Sequence, residues 1–336
     1  MIRVGINGFG RIGRNVLRAI YERNDYDVEV CQVNDLGDIH SNIHLLKYDS
    51  THGRFNKDVF ALPEGGFRIQ DKNYPVANSN HLNIEYHSKR NPSLVPWNCD
   101  VLIECTGAFT DGDRFRNMPW QTIIAQPASN VDKTIVYGIN HKTIEDTDRV
   151  FSNASCTTNC ISWLADIIDE TFGLEHGFMN TVHAYTNDQV IVDSHHKDKY
   201  RARSGANNII PTKTGAAETV AKILPHLEGK LTGFATRVPV QNVSMLDFTF
   251  RTERPTTKAE IRDNLRLREV QCPEFFGLSE EPLVSSDYNH DTRSCIVDWN
   301  QTQFLDSRTF RLVAWYDNEW AFANRLIDLV RHVGKR

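Results

Sequence analysis

The chain has 336 residues, 40% of them hydrophobic and 24% charged, with a formal net charge of −5. That length exceeds what one hydrophobic core comfortably holds and predicts two domains. The balance gives no reason to expect nucleic acid as the main partner, and no run of about 18 apolar residues predicts a membrane span.

The opening "MIRVGINGFG" does not read as a signal peptide, because glycines and an asparagine interrupt it before an apolar stretch can form. The seven cysteines are odd in number and irregularly spaced. That usage predicts free thiols in a reducing compartment, and hence a cytoplasmic protein.

In chain order, "IRVGING" reads as a strand and "FGRIGRNVLRAIYER" as a helix, with Ile12, Val16, Leu17 and Ile20 at helical spacing. "VEVCQVND" reads as a second strand. The turn that opens the helix is Gly8-Phe9-Gly10-Arg11-Ile12-Gly13, a G-x-G-x-x-G in its proper context. Gly8 permits a tight turn, Gly10 lets a pyrophosphate approach the backbone, and Gly13 lets helix and strand pack closely. Asp35 follows the last glycine by 22 residues, at the end of the second strand, where a carboxylate can accept ribose hydroxyls. A Gly-rich turn in some other α/β protein would not need that acid.

Further strands are expected at 101–107, 122–126 and 134–140. Thr106 and Gly107, in the loop after the first of these, are expected near the cofactor.

The stretch "NASCTTNC" (153–160) puts Cys156 at the start of an apparent helix, "ISWLADIID". A metal site lacks ligands at zinc spacing, a disulfide does not suit a reducing compartment, and a small buried residue is the bland alternative. The helix dipole would stabilise a thiolate here, so a depressed thiol pKa is expected. Ser155, Thr157 and Thr158 add donors that suit an anion. The stretch follows directly on a dinucleotide-binding half. A thiolate with a nicotinamide suggests attack on an aldehyde followed by hydride loss, which leaves a thioester. The base expected for it is His183, 27 residues on in a strand-like run with Thr186 close behind. Arg201, Arg203, Thr212, Thr214 and Gly215 then form a basic, hydroxyl-rich region that reads as an anion cradle or, alternatively, a solvated loop. Arg237 precedes a long alternating strand.

"INGFGRIGR", "HLLKYDSTHGRF", "SNASCTTNC", "HKDKYRARSGANNIIPTKTGAAE", "RVPVQNVS" and "WYDNEWAFANR" closely resemble phosphorylating glyceraldehyde-3-phosphate dehydrogenases. The resemblance spans nearly the whole chain. It implies a Rossmann-type, doubly wound α/β cofactor domain (1–155 and 318–336) and an α+β catalytic domain with a mostly antiparallel sheet (156–317). It also implies a cytosolic glycolytic homotetramer that takes NAD, glyceraldehyde 3-phosphate and inorganic phosphate.

By that resemblance Cys156 is the nucleophile and His183 its base. Thr186 and Arg237 hold the substrate's own phosphate, and Ser155, Thr157, Arg201, Thr214 and Gly215 hold the attacking phosphate. Asn318 holds the nicotinamide carboxamide, Gly8, Gly10, Arg11, Ile12 and Gly13 form the pyrophosphate turn, and Asp35 is the ribose acid. No metal is implied.

The chain departs from the family pattern at Ala125, in the short "GDRFRNMPWQ", at Gly37, and at Ser194-His195. The last two bear on NAD against NADP. Asp35 should repel a 2′-phosphate, whereas Ser194 and His195 could receive one. "LVSSDYNHDTRSCIVD" leans toward the sister erythrose-4-phosphate dehydrogenases, while the retained Thr186 and Thr214-Gly215 favour glyceraldehyde 3-phosphate. A rival of another class is a non-catalytic nucleotide- or RNA-binding homologue.

Overall fold

The structure is a computed structural model, and it describes residues 1–25, 27–71 and 83–335. The chain divides into two compact units. One comprises Met1–Ile135, Thr143–Ala154 and Ala323–Arg336, and the other Val136–Lys142 and Ser155–Phe322.

The first unit begins β1 (Ile2–Asn7), α1 (Arg11–Arg23), β2 (Val28–Asn34), α2 (Ile39–Lys47). The ribbon β3 (Tyr48–Asp49) and β4 (Gly53–Arg54) follows, then β5 (Asp58–Ala61), β6 (Phe67–Gln70) and β7 (Asn83–His87). It continues with β8 (Val101–Glu104), β9 (Gln121–Ile124), β10 (Lys133–Thr134) and β11 (Val150–Ser152). Nine of these strands form one sheet in the order β10-β11-β9-β8-β1-β2-β7-β6-β5. It is parallel from β10 to β7 and antiparallel only at the β7-β6-β5 edge. Strand order reverses at β1, with β2 on one side and β8 on the other. The crevice beyond the carboxyl ends of β1 and β8 is where such sheets bind ligands. β1, β2 and β8 are buried nearly throughout, which explains their unbroken apolar runs.

The expected strand over 134–140 is much shorter, because β10 stops at Thr134. The amide of Val136 donates to Asn140 Oδ1 at 2.8 Å, and Gly138 has φ +95°. A side-chain-closed turn has displaced the ladder. In the short 112–121 segment the helical part is a 3₁₀ turn, Gly112–Arg114, with no α-helix.

The second unit contains α3 (Cys156–Phe172), β12 (Leu174–Ala184), β13 (Ile210–Thr212), α4 (Ala216–Ile223) and β14 (Leu231–Val238). β15 (Ser244–Thr252), α5 (Lys258–Gln271), β16 (Phe276–Ser279), β17 (Cys295–Phe304) and β18 (Thr309–Tyr316) complete it. Its seven-stranded sheet runs β13-β14-β12-β15-β18-β17-β16 and is antiparallel except at β14-β12 and β17-β16. Ile161, Trp163, Leu164, Ile167 and Ile168 of α3 are fully buried, so this helix is apolar around most of its circumference. The final helix, α6 (Trp320–Val333), returns to the first unit, where Arg23 pairs with Asp328 at 2.7 Å.

Candidate active site

In the first unit, Gly8 has φ +93°, and a Cβ there would stand 2.6 Å from the amide nitrogen of Thr106. A Cβ on Gly13 would stand 2.3 Å from Gly8 O, so helix and turn touch with no room for a methyl group. A Cβ on Gly10 would meet nothing within 4 Å, leaving open space over the turn. Gly10 is also the N-cap of α1, and no side chain caps that helix. The first-turn amides, those of Arg11 and Ile12 among them, therefore face space that an anion can occupy. These features fit a dinucleotide pyrophosphate.

Asp35 closes the same crevice. Its Oδ2 accepts from Phe9 N at 2.7 Å, and its Oδ1 from Gly37 N at 2.8 Å and Asn42 Nδ2 at 3.2 Å. On the far side of β1, Glu104 is buried, with burial pushing its carboxyl up. It accepts from the amide of Thr106 at 2.7 Å, from the Thr106 hydroxyl and from Asn7, and so fixes the turn that carries Thr106 and Gly107.

In the second unit, Ser155 is the N-cap of α3 and its hydroxyl accepts from Thr158 N at 3.0 Å. Cys156 is the first residue of the helix, half-buried, with Sγ 3.4 Å from Nε2 of His183. His183 lies near the end of β12, directly opposite Arg237 in the parallel β12-β14 register. Its Nδ1 is 2.7 Å from Ala184 O and 2.6 Å from Arg237 Nη1, which itself donates to Ala184 O at 3.0 Å. One nitrogen cannot satisfy both neighbours. As N–H it donates to Ala184 O, leaving the Nε2 lone pair toward Sγ. As a lone pair it accepts from Arg237, leaving Nε2–H toward Sγ. The first tautomer receives the thiol proton and the second supports a thiolate.

Burial, then the Arg237 charge, hold the His183 imidazolium down to about 3. The expected depression of the Cys156 thiol is not what the structure shows. Burial outweighs the opposing pull of Arg237 and the Thr157 hydrogen bonds, and raises the thiol above its ordinary value. Passing the proton from Sγ to Nε2 keeps net charge constant, so burial opposes that transfer less than ionisation of either group alone.

Several groups around this pair carry no clear signature in the sequence. Tyr316, fully buried, has its hydroxyl 2.9 Å from Thr157 Oγ1 and 2.8 Å from Thr181 Oγ1, with its ring edge-on to His183. Ser244 Oγ accepts from Ala184 N at 3.1 Å and donates to Asn318 Oδ1 at 2.9 Å. Asp317 is fully buried and accepts from the amides of Glu319, Trp320 and His290 and from Asn242 Nδ2. The segment Asn289-His290-Asp291 is thereby tied to the loop that carries Asn318.

The expected anion residues lie in the same unit. Arg201 donates to Thr212 Oγ1 at 2.8 Å and pairs with Asp188. The Thr186 amide donates to Gln189 Oε1 at 2.9 Å, and Thr214 Oγ1 accepts from Ala216 N at 3.2 Å. Gly215 is the N-cap of α4 without a side-chain cap. Two buried donors, Arg237 Nε and Gln189 Nε2, have no acceptor among the described residues. Buried donors of this kind call for an acceptor, and an anionic ligand supplies one.

A fold of this kind with a dinucleotide turn and a helix-start thiol is that of a nicotinamide-dependent oxidoreductase. Comparison with known proteins narrows the class. Residues 2–112 match the family described as glyceraldehyde 3-phosphate dehydrogenase, NAD binding domain, and residues 155–318 its C-terminal domain. The glyceraldehyde-3-phosphate dehydrogenase of Cereibacter sphaeroides is 44% identical over 342 residues, covering 99% of each chain. That of Pseudomonas aeruginosa is 45% identical over 335 residues, covering 97% of this chain and 96% of its own. The chain belongs to the glyceraldehyde-3-phosphate dehydrogenase family, and its cofactor is NAD.

Proposed function

We propose that the protein oxidises D-glyceraldehyde 3-phosphate to 1,3-bisphosphoglycerate with NAD and inorganic phosphate. The observation that carries this reading is the 3.4 Å contact between Cys156 Sγ at a helix start and His183 Nε2, with Arg237 alongside. His183 takes the thiol proton, Sγ attacks the aldehyde carbon, and His183 returns the proton to the resulting alkoxide to give a thiohemiacetal. Bound NAD supplies the acceptor for the hydride that this adduct loses. His183 takes the hydroxyl proton, and a thioester remains on Cys156. Inorganic phosphate then attacks the thioester, the acyl phosphate leaves, and the sulfur regains its proton.

Arg237 and Thr186 bind the substrate's own phosphate. Arg201, Ser155, Thr157, Thr214 and Gly215 bind the attacking phosphate, and Asn318, its Oδ1 held by Ser244, orients the carboxamide. Arg11, Ile12 and the three glycines hold the pyrophosphate, Asp35 the ribose, and Thr106 and Gly107 the far side of the crevice. The relatives are named for glyceraldehyde 3-phosphate, which does not favour the erythrose 4-phosphate alternative.

We further propose a cytoplasmic homotetramer. The exposed ring pair Phe178–Phe234 on the seven-stranded sheet, and exposed Ile191, Val192 and Ile209, support burial against other subunits. Light scattering tests that assembly.

The activity is tested by NADH formation with glyceraldehyde 3-phosphate and with erythrose 4-phosphate, each with and without inorganic phosphate. The proposal expects faster turnover on the former and a steady rate that needs phosphate. Preference for erythrose 4-phosphate, or steady oxidation undiminished without phosphate, overturns it.

A further inference from the structure

Asp35 is held by residues that come from three separate stretches of the first unit. A carboxylate has about four acceptor sites. Protein donors take three of them: Phe9 N at 2.7 Å on Oδ2, and Gly37 N at 2.8 Å and Asn42 Nδ2 at 3.2 Å on Oδ1. Asn42 is buried, on α2, and is itself fixed by a second bond from the same amide nitrogen to Tyr86 Oη at 2.7 Å. Tyr86, on β7, donates its hydroxyl to Gly37 O at 2.7 Å. Burial pushes that phenol up to about 12, so it remains a donor across the physiological range. Gly37 completes the clasp by what it lacks. A Cβ there would stand 2.9 Å from Asp35 Oδ1, closer than real Cβ contacts come, and 3.0 Å from Asn42 Nδ2, so both side chains would have to give way.

We propose that Asn42, Tyr86 and Gly37 form a specificity clasp that locks the Asp35 carboxylate against rotation, and so lets this chain reject a 2′-phosphorylated dinucleotide. The reading rests on the family's use of NAD, but it does not depend on the identity of the aldehyde. A 2′-phosphate must displace a carboxylate that stands at the ribose 2′ position or suffer like-charge repulsion from it. A loosely held carboxylate turns away at little cost. Here turning breaks charge-assisted bonds to Asn42 and Gly37 together. The occupied acceptor sites also leave about one for the ligand, which suits a single ribose hydroxyl donor and nothing anionic. Asn42 and Tyr86 act through Asp35 and are positioning residues. Gly37, singled out in the sequence as a departure from the family pattern, is the residue whose small size allows the clasp.

The test is equilibrium binding of NADH and NADPH to the full-length protein, read by cofactor fluorescence, for wild type, Asn42→Ala, Tyr86→Phe and Gly37→Ala. Melting temperature serves as a folding control. For Asn42→Ala the ratio of NADPH to NADH dissociation constants should fall by roughly tenfold. Tyr86→Phe and Gly37→Ala should move it the same way by a smaller factor. NADH affinity itself should change by no more than a few-fold. A ratio unchanged in all three folded variants overturns the clasp. So does a parallel loss of both affinities, which would mean that Asn42 and Tyr86 merely support the loop. If Asn42→Ala fails to fold, Tyr86→Phe decides, because it removes one hydroxyl and keeps the ring. Binding is read without substrate, so failure of the aldehyde assignment leaves this test intact.

Discussion

Arg237 stands beside His183 across two parallel strands, with Nη1 2.6 Å from the imidazole Nδ1. A guanidinium in that place opposes an imidazolium and favours a thiolate on the other side of the ring. It lowers both His183 and Cys156, although for the thiol burial is the larger influence and acts upward. Removing Arg237 should therefore raise both values. In Arg237→Leu, iodoacetamide should modify Cys156 more slowly than in wild type near pH 7, with the reactivity profile displaced to higher pH. KM for the aldehyde should rise as well, through loss of the substrate phosphate contact. A reactivity profile that stays in place would show that Arg237 has no electrostatic hold on the pair.

Among the seven cysteines, Cys156 should be alkylated first. Burial pushes Cys31 to about 11 and Cys99 to about 12, and Cys105 and Cys160 well above the ordinary thiol value. Among the described residues, only Cys156 has an imidazole at 3.4 Å to receive its proton. Peptide mapping after brief iodoacetamide treatment should find label there before any other site. His183→Asn should slow that labelling and lower kcat, the latter by about 10² to 10⁴. Full turnover in this variant would remove His183 as the base.

The same histidine should leave a mark on acid stability. Its folded pKa, about 3, lies below the ordinary value of 6.5. Between those values the unfolded chain binds a proton that the folded chain refuses, so stability falls as pH falls through that window. His183→Asn lacks this penalty. The melting temperature of wild type relative to the variant should decline from about pH 7 to about pH 5. A constant difference would show that His183 titrates normally in the fold.

The parts of this molecule legible in the sequence are those made by neighbours along the chain. Gly8, Gly10 and Gly13 sit in one turn, and Ser155 caps the helix that Cys156 begins. Sheet register and the packing of helix on sheet make the rest. Tyr316 reaches Thr157 across 159 residues, and Ser244 reaches Asn318 across 74. No local pattern marks such partners, because each is only a polar residue on an otherwise ordinary strand. The raised Cys156 thiol has a similar origin. A helix start is visible in the sequence, while the desolvation that opposes its dipole is set by what packs over it. The 134–140 strand failed for a local reason, since Asn140 closes a turn that β-propensity alone does not weigh.

Tyr316 gives a test of how far the buried network matters to the reacting pair. Its hydroxyl bridges Thr157 and Thr181, and the residue is buried. Tyr316→Phe leaves the ring against His183 but strands two threonine hydroxyls, which should cost about 1–3 kcal/mol of stability. Thr157 is also expected to touch the attacking phosphate, so the KM for phosphate should rise more than the KM for the aldehyde. Denaturant unfolding and steady-state kinetics measure the two effects. Equal changes in both KM values would point to a general loosening of the site.

Gly10 and Gly13 separate binding from folding within a single turn. A methyl group on Gly13 would come 2.3 Å from Gly8 O, a backbone atom that cannot move without opening the turn. Gly13→Ala should therefore destabilise the first unit, lowering its melting temperature, with cofactor binding lost as a consequence. At Gly10 a methyl group meets nothing within 4 Å, and the residue's φ of −73° is open to any side chain. Gly10→Ala should fold with a melting temperature close to wild type. Its methyl group would nevertheless occupy the space that a pyrophosphate needs over the uncapped first turn of α1, so the dissociation constant for NAD should rise by an order of magnitude or more. Calorimetric NAD binding and thermal unfolding on the two variants check this directly. A Gly10→Ala protein that binds NAD as tightly as wild type would place the pyrophosphate away from this turn.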